Sequence, residues 1–183
     1  MIRKKKKIKE ILLSDPDIKE VLGTKNPKPL NKFVDKDNPT ESELARRKEI
    51  EEFNKSITHE QIVEWIKLNG IQKEVLNFIL FDIFDDRQSY DNPAYKRQIL
   101  TFMCLVHEDD MQTEYDIPRT DLLGYLIKDL FNRSNVLGVQ LLQVSDTYEI
   151  VDDVYYGRTI QFSMSAPNGI TGTGNNKYDR FRH

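Results

Sequence analysis

Leu100, Phe102, Cys104 and Val106 occupy one parity of the segment that begins at Tyr95, and Ile99, Met103 and Leu105 occupy the other. A strand apolar on both parities over about seven residues is a central strand, covered on both faces. The period then changes: Leu123, Leu126, Ile127 and Leu130 recur at helical spacing, while Asp121, Lys128 and Asn132 fall elsewhere on the wheel. This predicts an amphipathic helix packed on the sheet. Gly124 sits inside it at a cost of about 1 kcal/mol relative to Ala, which points to a close backbone contact. Residues 75–84 (VLNFILFDIF) are apolar except for Asn77 and Asp82 and predict a strand. The turn-rich DDRQSYDNP joins it to the central strand as an antiparallel hairpin. After the helix, VLGVQLLQV and VYYGRTIQFSMS predict two more strands, and in the last Ile160, Phe162 and Met164 alternate with Thr159, Gln161 and Ser163. The sum is α+β: a β-β-α-β-β sheet with helices packed on one side, preceded by an extended helical N-terminal arm.

The segments before this pattern are more polar. Arg3 and Lys4 to Lys7 precede IKEILL, a basic and weakly amphipathic start. Ser14 or Asp15 before Pro16 signals a helix that Gly23 closes, since Pro in the first turn forfeits no helical hydrogen bond. Residues 24–39 hold three prolines and no periodicity, the mark of an extended linker, with Leu30, Phe33 and Val34 as apolar anchors. Thr40 with Glu43, and Thr58 with Gln61, read as capping boxes. They open a charged helix over residues 41–57 and a second helix, HEQIVEWIKL, with Ile62, Trp65 and Ile66 as its core face. The expected organisation is a basic arm over residues 1–57, a domain over 58–165 and a flexible tail over 166–183. On that division, removing residues 1–40 leaves the domain folded.

Charge sharpens the division. Residues 1–57 hold 15 Lys and Arg against 11 Asp and Glu, residues 58–165 hold 9 against 18, and residues 166–183 hold 3 against 1, within a net charge of −3. An acidic domain between basic ends favours charge-guided contacts with neighbours over nucleic-acid binding by the core. The lone cysteine, Cys104, has no internal disulfide partner and reads as a small buried hydrophobe. No apolar run reaches membrane-spanning length, so the expectation is a cytoplasmically assembled protein with no membrane contact.

The chemistry-bearing residues form no catalytic pattern. The three histidines are far apart and match no metal-ligand spacing. The glycines of the tail lack the strand and helix of a phosphate loop, and no G-x-S-x-G elbow occurs. Trp65, Tyr155 and Tyr156 read as packing residues rather than base-stacking platforms. No cofactor and no metal are expected, and the chain is read as non-enzymatic. Two alternatives stay open. The Arg3 to Lys7 cluster suits phosphate neutralisation in a nucleic-acid-associated accessory protein, and Asp82, Glu108 and Asp109 are the carboxylates that a metal-dependent nuclease would use.

Two stretches carry a resemblance. A T-x-Y-D-I loop (Thr113, Tyr115, Asp116, Ile117) opens a helix reading DLLGYLIKDLF, and a last strand of Y-x-R-T-I-x-F type runs from Tyr156 to Phe162. In this layout, over residues 75–165, the chain resembles the tail-terminator and neck (head–tail joining) proteins of long-tailed bacteriophages. The resemblance implies a virion structural protein: a homo-oligomeric ring, usually hexameric, that terminates the tail tube and joins tail to head. Its implied partners are adjacent neck and tail-tube proteins, with DNA passing through the lumen without specific binding. The interface or lumen residues expected on that basis are Glu108, Asp109 and Asp110 of the acidic loop, Lys4, Lys5 and Lys6 of the N-terminus, and Tyr178, Phe181 and Arg182 of the tail. The N-terminal extension departs from the compact members of that group and leaves the particular ring open.

Overall fold

The central strand is where the pattern places it. In the computed structural model, which describes residues 2–23, 61–64, 77–88 and 94–167, β3 (Tyr95–His107) lies between β2 (Phe78–Gln88) and β5 (Tyr155–Pro167). With β1 (Ile62–Val63) and β4 (Leu142–Ile150) at the edges, the described sheet has five strands in the order β1-β2-β3-β5-β4. Its ladders are antiparallel except β1 against β2, and β3 and β5 stay in register from Tyr95 opposite Pro167 to His107 opposite Tyr155. The polar end of β2 belongs to the strand because Asp85 and Asp86 meet Lys96 and Arg97 across the hairpin.

One face carries the main core. Three helices contribute to it: α1 (Ile2–Ser14), α2 (Pro16–Gly23) and α3 (Arg119–Phe131). Leu100, Phe102, Cys104 and Val106 of β3 and Ile160, Phe162 and Met164 of β5 are buried there, as their alternation requires. Phe102 anchors an aromatic cluster, its ring 4.8 Å from that of Phe131 and 6.0 Å from that of Phe162. The opposite face holds a smaller cluster of Phe78, Leu80, Leu105 and Tyr155, against which Met103 and Val151 pack.

The N-terminal helices correct the expected organisation. Ile8, Leu12, Ile18, Val21 and Leu22 are at most 2% exposed and share the core of the sheet, so residues 2–23 are not a peripheral arm. Short apolar stripes at helical spacing suffice, because the two helices pool their apolar residues in one core cluster. Asp15 caps α2, its Oδ1 accepting from the amides of Asp17 (3.0 Å) and Ile18 (2.9 Å). The linker over 24–39, the helix over 41–57 and most of the tail from 168 onward fall outside the described residues.

Two further expectations change. Residues 62 and 63, read as helix, form β1, parallel to Ile79 and Leu80. Gln61, read as a helix-capping residue, instead donates its side-chain amide to the carbonyls of Leu22 (3.2 Å) and Asn77 (3.1 Å). The first half of VLGVQLLQV is a turn in which Gly138 has φ +78° and the Leu141 amide donates to Ser134, while Leu137 and Leu141 plug the core. The strand itself starts only at Leu142.

Candidate functional site

The residues expected to act at an interface separate into engaged and exposed ones. In α1, Lys4 reaches over the core to donate to Gln98 Oε1 (3.0 Å) and approach Met164 Sδ (3.6 Å), and Lys5 pairs with Asp82. Burial, followed by the nearby Lys96, holds the Lys4 ammonium below its ordinary pKa, with Asp85 opposing. Lys6 is exposed, with Arg3 and Lys7. Tyr178, Phe181 and Arg182 lie outside the described residues.

The acidic loop divides as well. Glu108 and Asp109 are exposed in a short 3-10 turn after β3, where the Asp109 amide donates to His107 Nδ1 (3.2 Å). Asp110 turns inward, contrary to a lumen or interface role. Its Oδ2 accepts from Asn77 Nδ2 (2.8 Å), and its backbone carbonyl accepts from Arg119 Nε (2.6 Å). Arg119 is fully buried and also donates to the Val21 carbonyl, while Asn77 and Gln61 donate to Leu22. These donors satisfy the carbonyls left open at the end of α2, which is how a helix end tolerates burial. Burial lowers the Arg119 pKa, and Asp110 and Glu20 oppose that shift.

The three carboxylates of the nuclease alternative do not come together. Asp82 stands opposite Thr101, and Glu108 lies seven positions further along the chain, on the order of 20 Å away at strand rise. Among the described residues no three His, Cys, Asp or Glu side chains gather as metal ligands, and no helix is long and apolar enough to cross a membrane.

The stretches that carry the phage resemblance interlock. Thr113 Oγ1 donates to the Ile117 carbonyl (2.7 Å) and Asp116 adopts φ +56°, so the T-x-Y-D-I loop is a tight turn that aims the chain into α3. Arg158 of β5 forks onto Asp146 of β4, Nε to Oδ1 at 2.7 Å and Nη2 to Oδ2 at 2.9 Å, while its Nη1 donates to Asp121 of α3. Lys128 of α3 adds a bond to Asp146 Oδ2 at 2.9 Å. These partners raise the Arg158 pKa, and hydrogen bonds from Arg158 hold the Asp146 carboxyl below its usual range despite burial. Gly124 supplies the space: a Cβ there would lie 2.7 Å from Arg158 Cδ and 2.9 Å from its Nε. Gly124 therefore makes the close approach that its place in the helix implies.

This clasp fixes an open strand edge. β4 pairs with β5 on one side, and the described sheet ends at β4. Of the nine large hydrophobics exposed among the described residues, four lie on β4: Leu142, Val144, Tyr148 and Ile150, at 47, 51, 54 and 71%. Tyr148 stacks on Tyr156 of β5 at 6.3 Å, and Tyr125 on α3 is exposed too. Asn132 Oδ1 accepts from the Gln143 amide (3.2 Å) and so closes only the start of the edge. An exposed apolar edge strand invites pairing with another chain. Sequence patterning missed it because exposed apolar residues on a strand look the same as buried ones.

No curated protein matches the chain. The model of the YomW family, named after a gene of a Bacillus phage region, matches residues 15–164 and so spans α2, the sheet up to the last three residues of β5, the buried Arg119 and the Arg158 clasp. With most of its length and every interlocking stretch inside that match, this chain belongs to the YomW family, a phage-related group.

Proposed function

We propose that the protein is a structural subunit of a phage particle, forming a ring at the neck or tail junction that terminates the tail tube and joins tail to head. The observation that carries this reading is the β4 edge, where four large apolar side chains stand in solvent on a strand held rigid by the Arg158 clasp. Such an edge is a cost to a solitary chain and an asset to an assembling one. Exposed Glu108 and Asp109 support a wall that repels DNA phosphates and lets the genome slide. On this reading the partners are further copies of the chain and the adjacent neck and tail-tube proteins. Assembly takes place in the host cytoplasm and the role is mechanical, without catalysis. The nucleic-acid reading keeps one supporting observation, the exposure of Arg3, Lys6 and Lys7, although Lys4 and Lys5 are already engaged.

Immunogold labelling of purified particles, with mass spectrometry of their disrupted proteins, tests the proposal. The expected result is the chain among the particle proteins and gold at the head–tail junction. Particles that lack the chain, combined with DNA affinity that falls steeply with salt and vanishes when Arg3, Lys6 and Lys7 are neutralised, would replace it with the nucleic-acid reading.

A further inference from the structure

Gln98 is the polar residue on an apolar strand face. It shares the parity of Leu100, Phe102 and Cys104 in β3, beside the main core, and is 5% exposed. Both ends of its carboxamide are held. Asp85 stands directly opposite in β2, and its Oδ1 accepts from Gln98 Nε2 at 2.7 Å. An ionised carboxylate can only accept, so this bond turns the carbonyl end away from Asp85, and there Lys4 Nζ reaches Oε1 at 3.0 Å.

The lysine is delivered by α1, whose Ile8 and Leu12 are fully buried, and Met164 Sδ lies 3.6 Å from the same nitrogen. Burial, then the charge of Lys96, holds the Lys4 amine below its ordinary pKa, with Asp85 opposing. Hydrogen bonds from Lys96 and Gln98 in turn keep Asp85 ionised. An amine, an amide carbonyl and a carboxylate therefore stand side by side. The amide carbon is one C=O bond of about 1.2 Å behind Oε1, so it lies at most about 4.2 Å from Lys4 Nζ. An advance of about 1 Å brings the nitrogen to attack distance.

We propose that Lys4 and Gln98 join in an intramolecular isopeptide bond, formed by the chain itself with release of ammonia. The Lys4 ammonium first gives one proton to solvent. The nitrogen lone pair then adds to Cδ of Gln98, and the π electrons of the carbonyl move onto Oε1. Asp85 takes a proton from Nζ and passes it to Nε2, the atom it already holds. As the carbonyl re-forms, the bond from Cδ to Nε2 breaks and ammonia leaves. One amide nitrogen replaces another on the same carbon, so nothing is oxidised or reduced and no co-reactant is consumed. The bond fastens α1 to β3 across 94 positions of sequence, and it stands apart from the ring-forming reading.

Intact-mass spectrometry of the full chain, fresh and after incubation at mildly alkaline pH, tests the proposal. The expected result is a species one ammonia lighter than the sequence, growing with time, whose proteolytic digest holds a branched peptide joining Lys4 to Gln98. Lys4→Arg should abolish it. Asp85→Asn should slow its formation by about 10²-fold or more while the melting temperature stays close to that of wild type. A mass that remains at the sequence value would leave Lys4 and Gln98 as a plain hydrogen bond and overturn the proposal. So would an ammonia loss that maps to a succinimide at Asn69 or Asn168, each of which precedes a glycine. A cross-link that Asp85→Asn forms as fast as wild type would overturn the proton route through Asp85.

Discussion

Gly124→Ala should destabilise the protein although it improves the helix. In an unencumbered helix interior the substitution is favourable by about 1 kcal/mol. Here the new Cβ meets Arg158 at 2.7 Å (Cδ) and 2.9 Å (Nε) and Ile160 Cδ1 at 3.3 Å. The arginine has little room to yield, since three of its nitrogens are bonded to Asp146 and Asp121 and its side chain is only 19% exposed. Losing one charge-assisted hydrogen bond costs about 1.5–3 kcal/mol, which exceeds the propensity gain and leaves a net loss of about 1 kcal/mol. For a domain of this size that lowers the melting temperature by about 2–4 °C. Urea unfolding of four proteins, wild type, Gly124→Ala, Arg158→Ala and the double variant, isolates the cause. With Arg158 gone only the 3.3 Å contact with Ile160 remains, Asp146 keeps Lys128 as a partner, and Gly124→Ala should become stabilising by a few tenths to about 1 kcal/mol. A substitution that is equally destabilising in both backgrounds, or stabilising in both, would refute the reasoning.

Three further outcomes follow from the same contacts. Removal of residues 1–23 deletes five core side chains worth about 1.5–3 kcal/mol each, comparable to a whole domain's stability, so the truncated chain should lose cooperative unfolding in circular dichroism melts. Asp146 has a folded pKa below its unfolded value of about 3.9. Its contribution is therefore complete above that value and lost as pH falls through the folded pKa. Urea midpoints of wild type should fall more steeply than those of Asp146→Asn between about pH 5 and about pH 2, and parallel curves would contradict this assignment. Burial pushes the Cys104 thiol up to about 12, so a disulfide reagent at neutral pH should label it no faster than the protein unfolds, and rapid labelling of the native state would show that the core opens locally.

The central part of the fold was legible because each segment's periodicity matches its environment. β3 and β5 read as strands and α3 as a helix, with Leu123, Leu126 and Ile127 on the buried face as the wheel places them. The N-terminal helices were legible as helices but their place in the core was not, because Arg3 to Lys7 dominate the start of the first, whereas Lys4 lies across the apolar surface and donates to the buried Gln98. Two residues of β1 carry no period, and only Gln61, drawn to the end of α2, marks where they lie. Nothing in HEDD separates Asp110 from Glu108 and Asp109. The distinction comes from Asn77 and Arg119, distant in sequence and adjacent in space. The β4 edge had no signal of its own, because Leu142, Val144, Tyr148 and Ile150 have the composition of a core although they are exposed.

The Lys4 ammonium resting on Gln98 and Met164 has a consequence for how the chain is made. Its partner in β5 lies 160 positions away, and α1 shares one core with Phe162 and Met164. During synthesis, α1 and α2 leave the ribosome long before the strands that bury them, and β4 must emerge before β5 can close the sheet. Until then the nascent chain exposes Ile8, Leu12, Ile18, Val21 and Leu22. Completion is thus a late event governed by loop closure across nearly the whole chain. The β4 edge acquires its shape in that same step, since Arg158 arrives with β5. In the assembly role proposed above, a surface that forms last keeps a half-made chain from joining its neighbours.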